Sequence, residues 1–397
     1  MPADGTPAIV PEMSPAGPLL VFGPRSTTYD FGPSHPLTPR RFGPGISLLE
    51  ALGALPGLAP EPASEDVLAW AHEPDYIERV KAFSADPFGR PTAGIGPGDT
   101  PAFAGMHAAS AAVAGGSVAA MEAILRGEVE HAFHPGGGLH HAMPHRASGF
   151  CVYNDPALAI ARARREGLRV LYVDLDVRHG DGVQAIHWND PGVMTVSIHE
   201  TGLSLFPGTG FADERGGPDA LGSKVNLPLD AGTGERGWLA ALEAVLPVLA
   251  ATFKPEIVVS QHGADAHAWD PLAHLNVTTT AMGEAARLVD RLAHQWARGR
   301  WLATGGGGYE IYRVVPRAWA LVWLAASHAE TPPELPAEWR ARWVAEAEGS
   351  ATGSGLPLPT TFTDPPNVGL EVGSRQAQAD RAAIETAQAL LRGIRRA

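Results

Sequence analysis

The chain has 397 residues, 45% hydrophobic and 18% charged, which is enough apolar material for a sizeable core around one large sheet. Its 30 Lys and Arg against 43 Asp and Glu leave a net charge of -13, which argues against direct nucleic-acid binding and anionic membranes and suits a cationic partner. The single cysteine, Cys151, excludes an internal disulfide and any cysteine-based zinc site, and fits a reducing, cytoplasmic setting.

Residues 1–17 are rich in Pro, Ala and Gly, with neither a basic start nor a long apolar run, and read as a flexible tail without a secretory signal. From there, short apolar runs alternate with longer amphipathic stretches. A strand is predicted at 19–22, a helix at 103–126, a strand at 129–133, a helix at 155–165, and strands at 169–175 and 193–198. A helix at 235–253, a strand at 256–260, a helix at 280–298 and a strand at 300–303 complete the series. This rhythm predicts an α/β fold: a single domain over 18–330, with a mostly parallel sheet sandwiched by helices. Gly115-Gly116 inside a helical pattern reads as close packing against a neighbour. The longest apolar runs, such as 318–326, are far short of the roughly 20 residues that cross a bilayer, so no membrane association is expected. Proline-rich pieces at 331–336 and 356–366 set off a C-terminal helical appendage, 331–397, expected to pack on the main domain.

In sheets of this kind, sites form in loops beyond the carboxyl ends of the strands. The polar clusters at 135–150, 174–182, 261–270 and 305–309 stand there, and the long Gly- and Pro-rich loops 87–101 and 206–219 read as site rims. The densest cluster is Tyr172-Val-Asp-Leu-Asp-Val-Arg-His-Gly-Asp-Gly182. Alternation along a strand points Asp174, Asp176 and residue 178 the same way. Two carboxylates and a histidine would make a divalent-metal half-site, whereas Arg178 brings a fixed positive charge and no lone pair. Upstream, Gly136-Gly-Gly-Leu-His-His141 joins glycines that permit close backbone approach to paired imidazoles suited to acid and base work. Asp174 and Asp181 are available to orient those rings.

Further text agrees in order: His35-Pro-Leu-Thr-Pro-Arg-Arg41, His72-Glu-Pro-Asp-Tyr-Ile77, Gly96-Pro-Gly-Asp-Thr-Pro101, Ser148-Gly-Phe-Cys151, His199-Glu-Thr-Gly202, Phe206-Pro-Gly-Thr-Gly210, Gly263-Ala-Asp265 and Gly305 to Tyr309. On these motifs the chain resembles the arginase/deacetylase superfamily and, within it, the class I histone-deacetylase-like bacterial acetoin-utilisation proteins. The resemblance implies an amidohydrolase that removes acetyl groups from lysine side chains of proteins. Acetylpolyamines or other small acetylated amines are the alternative substrates, and a metal-free, non-catalytic acyl-lysine binder is the alternative of a different class.

The resemblance further implies that His140 pairs with Asp174 and His141 with Asp181, with His141 the principal general base. Zinc, or ferrous iron, would be held by Asp176, Asp265 and a histidine at position 178, and Tyr309 would donate to the developing oxyanion. Phe150 and Phe206 would wall an acyl-lysine channel, Asp99 would accept from substrate amides at its rim, and Gly149 would offer its carbonyl. Arg41 would line an acetate cavity. Asp174, Ser197 and the backbone of Ile198 would hold a structural potassium ion.

Position 178 departs from the family's Asp-x-Asp-x-His-His-Gly-Asp-Gly. Three arrangements compete there: a bulge that swings His179 inward, a guanidinium lying between Asp176 and Asp265 in place of the ion, or an arginine turned outward beside a weakened metal.

Overall fold

Four runs, Val170-Leu-Tyr-Val-Asp174, Val193 to Glu200, Ile257-Val-Val-Ser-Gln261 and Trp301-Leu-Ala-Thr304, are buried at every position. Continuous burial without alternation is the mark of parallel strands covered on both faces. In the computed structural model, which describes residues 17–350, 352, 355–364 and 374–394, these runs are four of eight strands in one parallel sheet. The strands are β1 Leu19–Val21, β2 Pro56–Leu58, β3 His131–His134, β4 Val170–Asp174, β5 Val193–Glu200, β6 Lys224–Leu229, β7 Ile257–Gln261 and β8 Trp301–Thr304. Their order is β2-β1-β3-β8-β7-β4-β5-β6.

After β3 the chain skips over two places to lay down β4, then fills the gap later with β7 and β8. That reversal makes β3, β8, β7 and β4 the central strands, and a crevice opens beyond their carboxyl ends. The loops leaving these four carry the polar clusters.

The helices are α1 Phe42–Ala51, α2 Glu65–Leu68, α3 Pro74–Ala85, α4 Met106–Leu125, α5 Asp155–Arg165, α6 Asp181–Ile186, α7 Glu235–Phe253, α8 Thr279–Ala297, α9 Val315–Ala326, α10 Ala337–Glu348 and α11 Ser374–Ile394. They divide the apolar residues into two clusters, one on each face of the sheet. At Gly115 in α4 any side chain would collide with the carbonyl of Glu61, which is why the helix tolerates glycine in its middle.

Three expectations need correction. β2 and β6 were not predicted: Pro56-Gly-Leu58 is short, and Lys224-Val-Asn-Leu-Pro-Leu229 breaks its apolar run with a buried lysine, an asparagine and an edge-tolerated proline. Lys224 is accommodated because its ammonium donates to the Val193 carbonyl at 2.7 Å and the Ser223 hydroxyl at 2.7 Å, while burial lowers its pKa to about 8. The view that every apolar stretch is too short for a bilayer also fails: α4 and α7 are long and apolar enough by length and composition. In α4, however, 78% of the apolar stretch is buried within the fold, as in a core helix, against 44% in α7.

The C-terminal region is tied down by specific bonds. Trp339 and Trp343 on α10 donate from their indoles to the Pro44 carbonyl and the Ser47 hydroxyl on α1, each at 2.9 Å. Asp380 on α11 accepts from the Gly234 and Gly237 amides at 2.8 and 3.2 Å, capping the start of α7 from a distant helix. Asp364 is held by Arg317 at 2.6 Å, by His267 at 2.7 Å and by the Thr279 amide at 2.8 Å. Residues 1–16 of the proline-rich start, and Pro365 and Pro366 of the second proline-rich piece, lie outside the described residues.

Candidate active site

The loop after β3 brings His140 and His141 together. Its backbone turns around Asp155 at the start of α5, whose carboxylate accepts from the Gly138 amide at 3.0 Å and the Leu139 amide at 2.8 Å. Asn154 caps α5 and donates from its amide group to the carbonyls of His140 and Ala142 at 3.0 and 2.9 Å. The task of Asn154 and Asp155 is to fix the loop that presents the imidazoles.

Two dyads form. His140 Nδ1 donates to Asp174 Oδ2 at 2.8 Å, and His141 Nδ1 donates to Asp181 Oδ1 at 2.6 Å. The two Nε2 atoms lie 3.1 Å apart, close enough to share one proton. Burial alone would depress His140, but Asp174 and Asp176 outweigh it and lift its pKa to about 9. His141 is pushed well below 6.5 by burial and then by the charge on His140. At neutral pH, His140 therefore carries the proton and donates it toward a neutral His141, a division of labour set by environment alone.

That assignment has a measurable consequence. A pKa raised from 6.5 to about 9 in the fold contributes stability that is full below about pH 6.5 and lost as pH rises through about 9. Between pH 6 and pH 9.5 the unfolding free energy of the unaltered chain is expected to fall by about 3 kcal/mol relative to His140→Gln. Parallel pH profiles for the two proteins would mean that His140 is neutral in the fold.

Across the crevice, Asp176 and Asp265 converge with Arg178. Asp176 Oδ2 accepts from Gln261 Nε2 at 2.7 Å and from the Gly307 amide at 2.9 Å, while its Oδ1 accepts from the Arg178 amide at 3.0 Å. Asp265 Oδ1 accepts from the Val177 amide at 3.1 Å. Its Oδ2 is taken by Arg178 Nη1 at 2.6 Å, and Arg178 Nη2 donates to the Leu272 carbonyl at 2.7 Å. The guanidinium is 11% exposed, Asp265 not at all. Arg178 also lies over the Tyr309 ring, 5.7 Å from its centroid. Although burial opposes it, the combined charges of His140 and Arg178 hold Asp176 well below the usual carboxylate range.

None of the three arrangements is met as stated: the guanidinium is neither turned outward nor set between the two carboxylates, but pairs with Asp265 and the Leu272 carbonyl, while Asp176 accepts from Arg178 only through its backbone amide. His179 turns away, its Nδ1 2.9 Å from the Thr209 hydroxyl and its ring beside His199 with centroids 4.9 Å apart. Burial lowers its pKa to about 4.

Asp176, Arg178, His140, His141 and Tyr309 border a cavity of about 290 Å³, with Phe150, Phe206, Gly149, Leu37 and Asp99 on its walls and mouth. Phe206 meets His141 edge to face at 5.1 Å, and Phe150 meets Tyr309 at 6.0 Å. Phe150 holds the left-handed backbone at φ 66°, unusual for a bulky residue, and Tyr29 secures it by donating to the Phe150 carbonyl at 2.7 Å. Next to it, Gly149 has φ 54°, and a β-carbon there would run into His141. The Gly149 amide donates to Asp99 Oδ2 at 2.7 Å. Gln261, Leu272 and Tyr29 were not singled out from the sequence; Gln261 alone left a signal, as a polar residue closing an apolar strand.

The remaining sites named from the sequence lie around this cavity. Arg41 is buried and donates to the Gly306 carbonyl at 2.7 Å, with its guanidinium 5.5 Å from the Trp319 ring. Asp174 and Ser197 are register partners on β4 and β5, followed by Ile198, and the Ser197 hydroxyl lies 2.8 Å from His199 Nδ1.

An eight-stranded parallel sheet with histidine–aspartate dyads at the foot of an aromatic-walled channel defines a deacetylase fold. Residues 35–326 match the histone deacetylase domain, and the chain belongs to that family of metal-dependent deacetylases. Acetoin utilization protein AcuC of Bacillus subtilis (strain 168) is 44% identical over 313 residues, covering 77% of this chain and 81% of the relative. The protein of that name from Staphylococcus xylosus is 36% identical over 355 residues, covering 88% and 91%. Among solved structures, an HDAC homolog complexed with SAHA superposes with a TM-score of 0.80 at 30% identity, covering 93% of this chain and 100% of that one. An HDAC homolog from Aquifex aeolicus superposes with a TM-score of 0.79 at 29% identity, over 93% and 100%.

Asp176, Asp265 and position 178, which the resemblance assigns to a metal, do not fit that ion. Position 178 supplies no lone pair, both oxygens of Asp176 and both of Asp265 already accept from protein donors, and a tethered cation stands against Asp265.

Proposed function

We propose that this chain takes the acetylated lysine side chains of proteins into its channel, and that amide hydrolysis is slow because Arg178 stands where the family binds its metal. The observation that carries the proposal is the 2.6 Å pairing of Arg178 with Asp265 at the foot of an otherwise complete channel. Phe150 and Phe206 flank the methylene chain, and the second oxygen of Asp99 accepts from substrate backbone amides at the rim. Gly149 offers its carbonyl to the substrate amide. The acetyl oxygen faces the Tyr309 hydroxyl and the guanidinium, which stabilise negative charge without ionising a water. His141 Nε2 is the base once the attacking water displaces the hydrogen bond that His140 donates to it in the free protein, and protonated His140 then supports it electrostatically. Arg41 is assigned to acetate, and potassium to Asp174, Ser197 and the Ile198 backbone. The reading places the protein in the cytoplasm.

Fluorescence anisotropy with the full chain tests this reading. A peptide bearing acetyl-lysine is expected to bind more tightly than the same peptide with free lysine, and Gly149→Ala, whose β-carbon would run into His141 and Phe206 on the channel wall, is expected to weaken it by at least about tenfold. Equal affinity for the two peptides would overturn acetyl recognition. Competition by acetylputrescine as strong as that of the peptide would transfer the function to small acetylated amines. Rapid turnover by the unaltered chain would remove the claim about Arg178.

A further inference from the structure

The amino-terminal end of the sheet, opposite the channel, carries a second concentration of chemistry that the deacetylase reading does not use. His131 is the first residue of β3 and is 4% exposed. Its Nδ1 donates to the Ala326 carbonyl at 2.6 Å, which leaves Nε2 as the nitrogen with the lone pair. That Nε2 is buried, has no hydrogen-bond partner, and lies 3.5 Å from Asp290 Oδ1.

Two more imidazoles address the same carboxylate oxygen. His294, one turn beyond Asp290 on α8, brings its Nε2 to 3.4 Å, and His328 brings its Nε2 to 3.3 Å. The His294 and His328 Nε2 atoms are 3.1 Å apart. All four donor atoms lie within 4.8 Å of one another. Zinc bonds of about 2.1 Å in a tetrahedron set its ligand atoms about 3.4 Å apart, close to these spacings.

Two features of the backbone point to a ligand as well. His328 follows α9 with φ 54°, a position where helices ordinarily place glycine, so an imidazole is kept there against a conformational cost. The carboxyl ends of α8 and α9 also meet at the cluster, and helix carboxyl ends favour a cation.

We propose that His131, Asp290, His294 and His328 bind one divalent transition-metal ion of the zinc class, clipping the start of β3 to the ends of α8 and α9. Three nitrogens and one carboxylate suit zinc and disfavour magnesium, which prefers oxygen. The site is built from residues nearly 200 positions apart and is independent of the channel and of the function assigned to it.

Isothermal titration of the chelator-treated full chain with zinc chloride tests the proposal, with bound metal counted by elemental analysis. One zinc per chain is expected, with a rise in Tm, and no binding of magnesium chloride under the same conditions. His294→Ala and His328→Gly are partly exposed changes that spare the core, and glycine suits the backbone at 328. Each is expected to weaken zinc binding by at least about tenfold and to remove most of the Tm rise. Absence of zinc binding by the unaltered chain, an affinity unchanged in both variants, or equal binding of magnesium would each overturn the assignment.

Discussion

Arg178→His is expected to bring zinc to the channel and to raise turnover of an acetyl-lysine peptide by about 100- to 1,000-fold. The change supplies the lone pair that position 178 lacks, and it withdraws the tethered cation from Asp265 Oδ2. Two buried carboxylates that converge without a cation repel, so the altered site has reason to take up an ion. Several kcal/mol of transition-state stabilisation correspond to this range of rates. Elemental analysis should count one zinc more per chain than in the unaltered protein. His141→Ala in the Arg178→His background should return turnover to its starting level, since the histidine–aspartate dyads act whichever cation faces them. Turnover unchanged by Arg178→His, despite the added zinc, would sink the idea that Arg178 is what holds hydrolysis back.

Asp364→Asn should destabilise the fold by about 3 to 5 kcal/mol in urea denaturation. Arg317 is almost fully buried, and Asp364 Oδ1 at 2.6 Å is its carboxylate partner. The amide keeps the shape but removes the charge, leaving a cation in a low-dielectric interior. Through Oδ2 the same carboxylate holds His267, in the loop that carries Asp265, so acetyl-peptide affinity should fall along with stability. Replacing both partners with apolar residues, Asp364→Leu with Arg317→Met, should recover most of the stability, because the loss arises from the unpaired charge. A cost under about 1 kcal/mol for Asp364→Asn would show that water reaches Arg317.

The members of the dyads were legible in the sequence because they gather at the carboxyl ends of strands, with His140 and His141 in the loop after β3, Asp174 closing β4 and Asp181 opening α6, and the resemblance supplied their pairing. His140, Asp174, Asp181, Asp265 and Tyr309 needed only the strand rhythm and the motifs to be placed near one another. The direction of the Arg178 side chain was not legible. It depends on the Leu272 carbonyl and on Asp265, nearly 90 residues downstream, and spacing says nothing of either. Gln261 and Asp364 act through contacts across the fold in the same way. β6 escaped because a lysine that finds three oxygens inside the protein looks, along the chain, like a surface residue. α4 was read as too short an apolar run because Gly115-Gly116, Ser110 and Ser117 interrupt it, although each is small enough to pack in the core.

The placement of α11 has a further effect on the open side of the sheet. Among the described residues β6 is a terminal strand, with β5 on one side and no strand on the other. Such a border is a template for pairing with another chain, and its backbone groups must be shielded or made unattractive. α11 runs next to β6, with Leu390 and Thr386 lining a pocket shared with Lys224 and Val225, and Pro228 removes one donor from the strand itself. The helix that closes the sequence thereby shields the sheet's last strand, and its attachment through Asp380 links the capping of α7 to protection against intermolecular strand pairing.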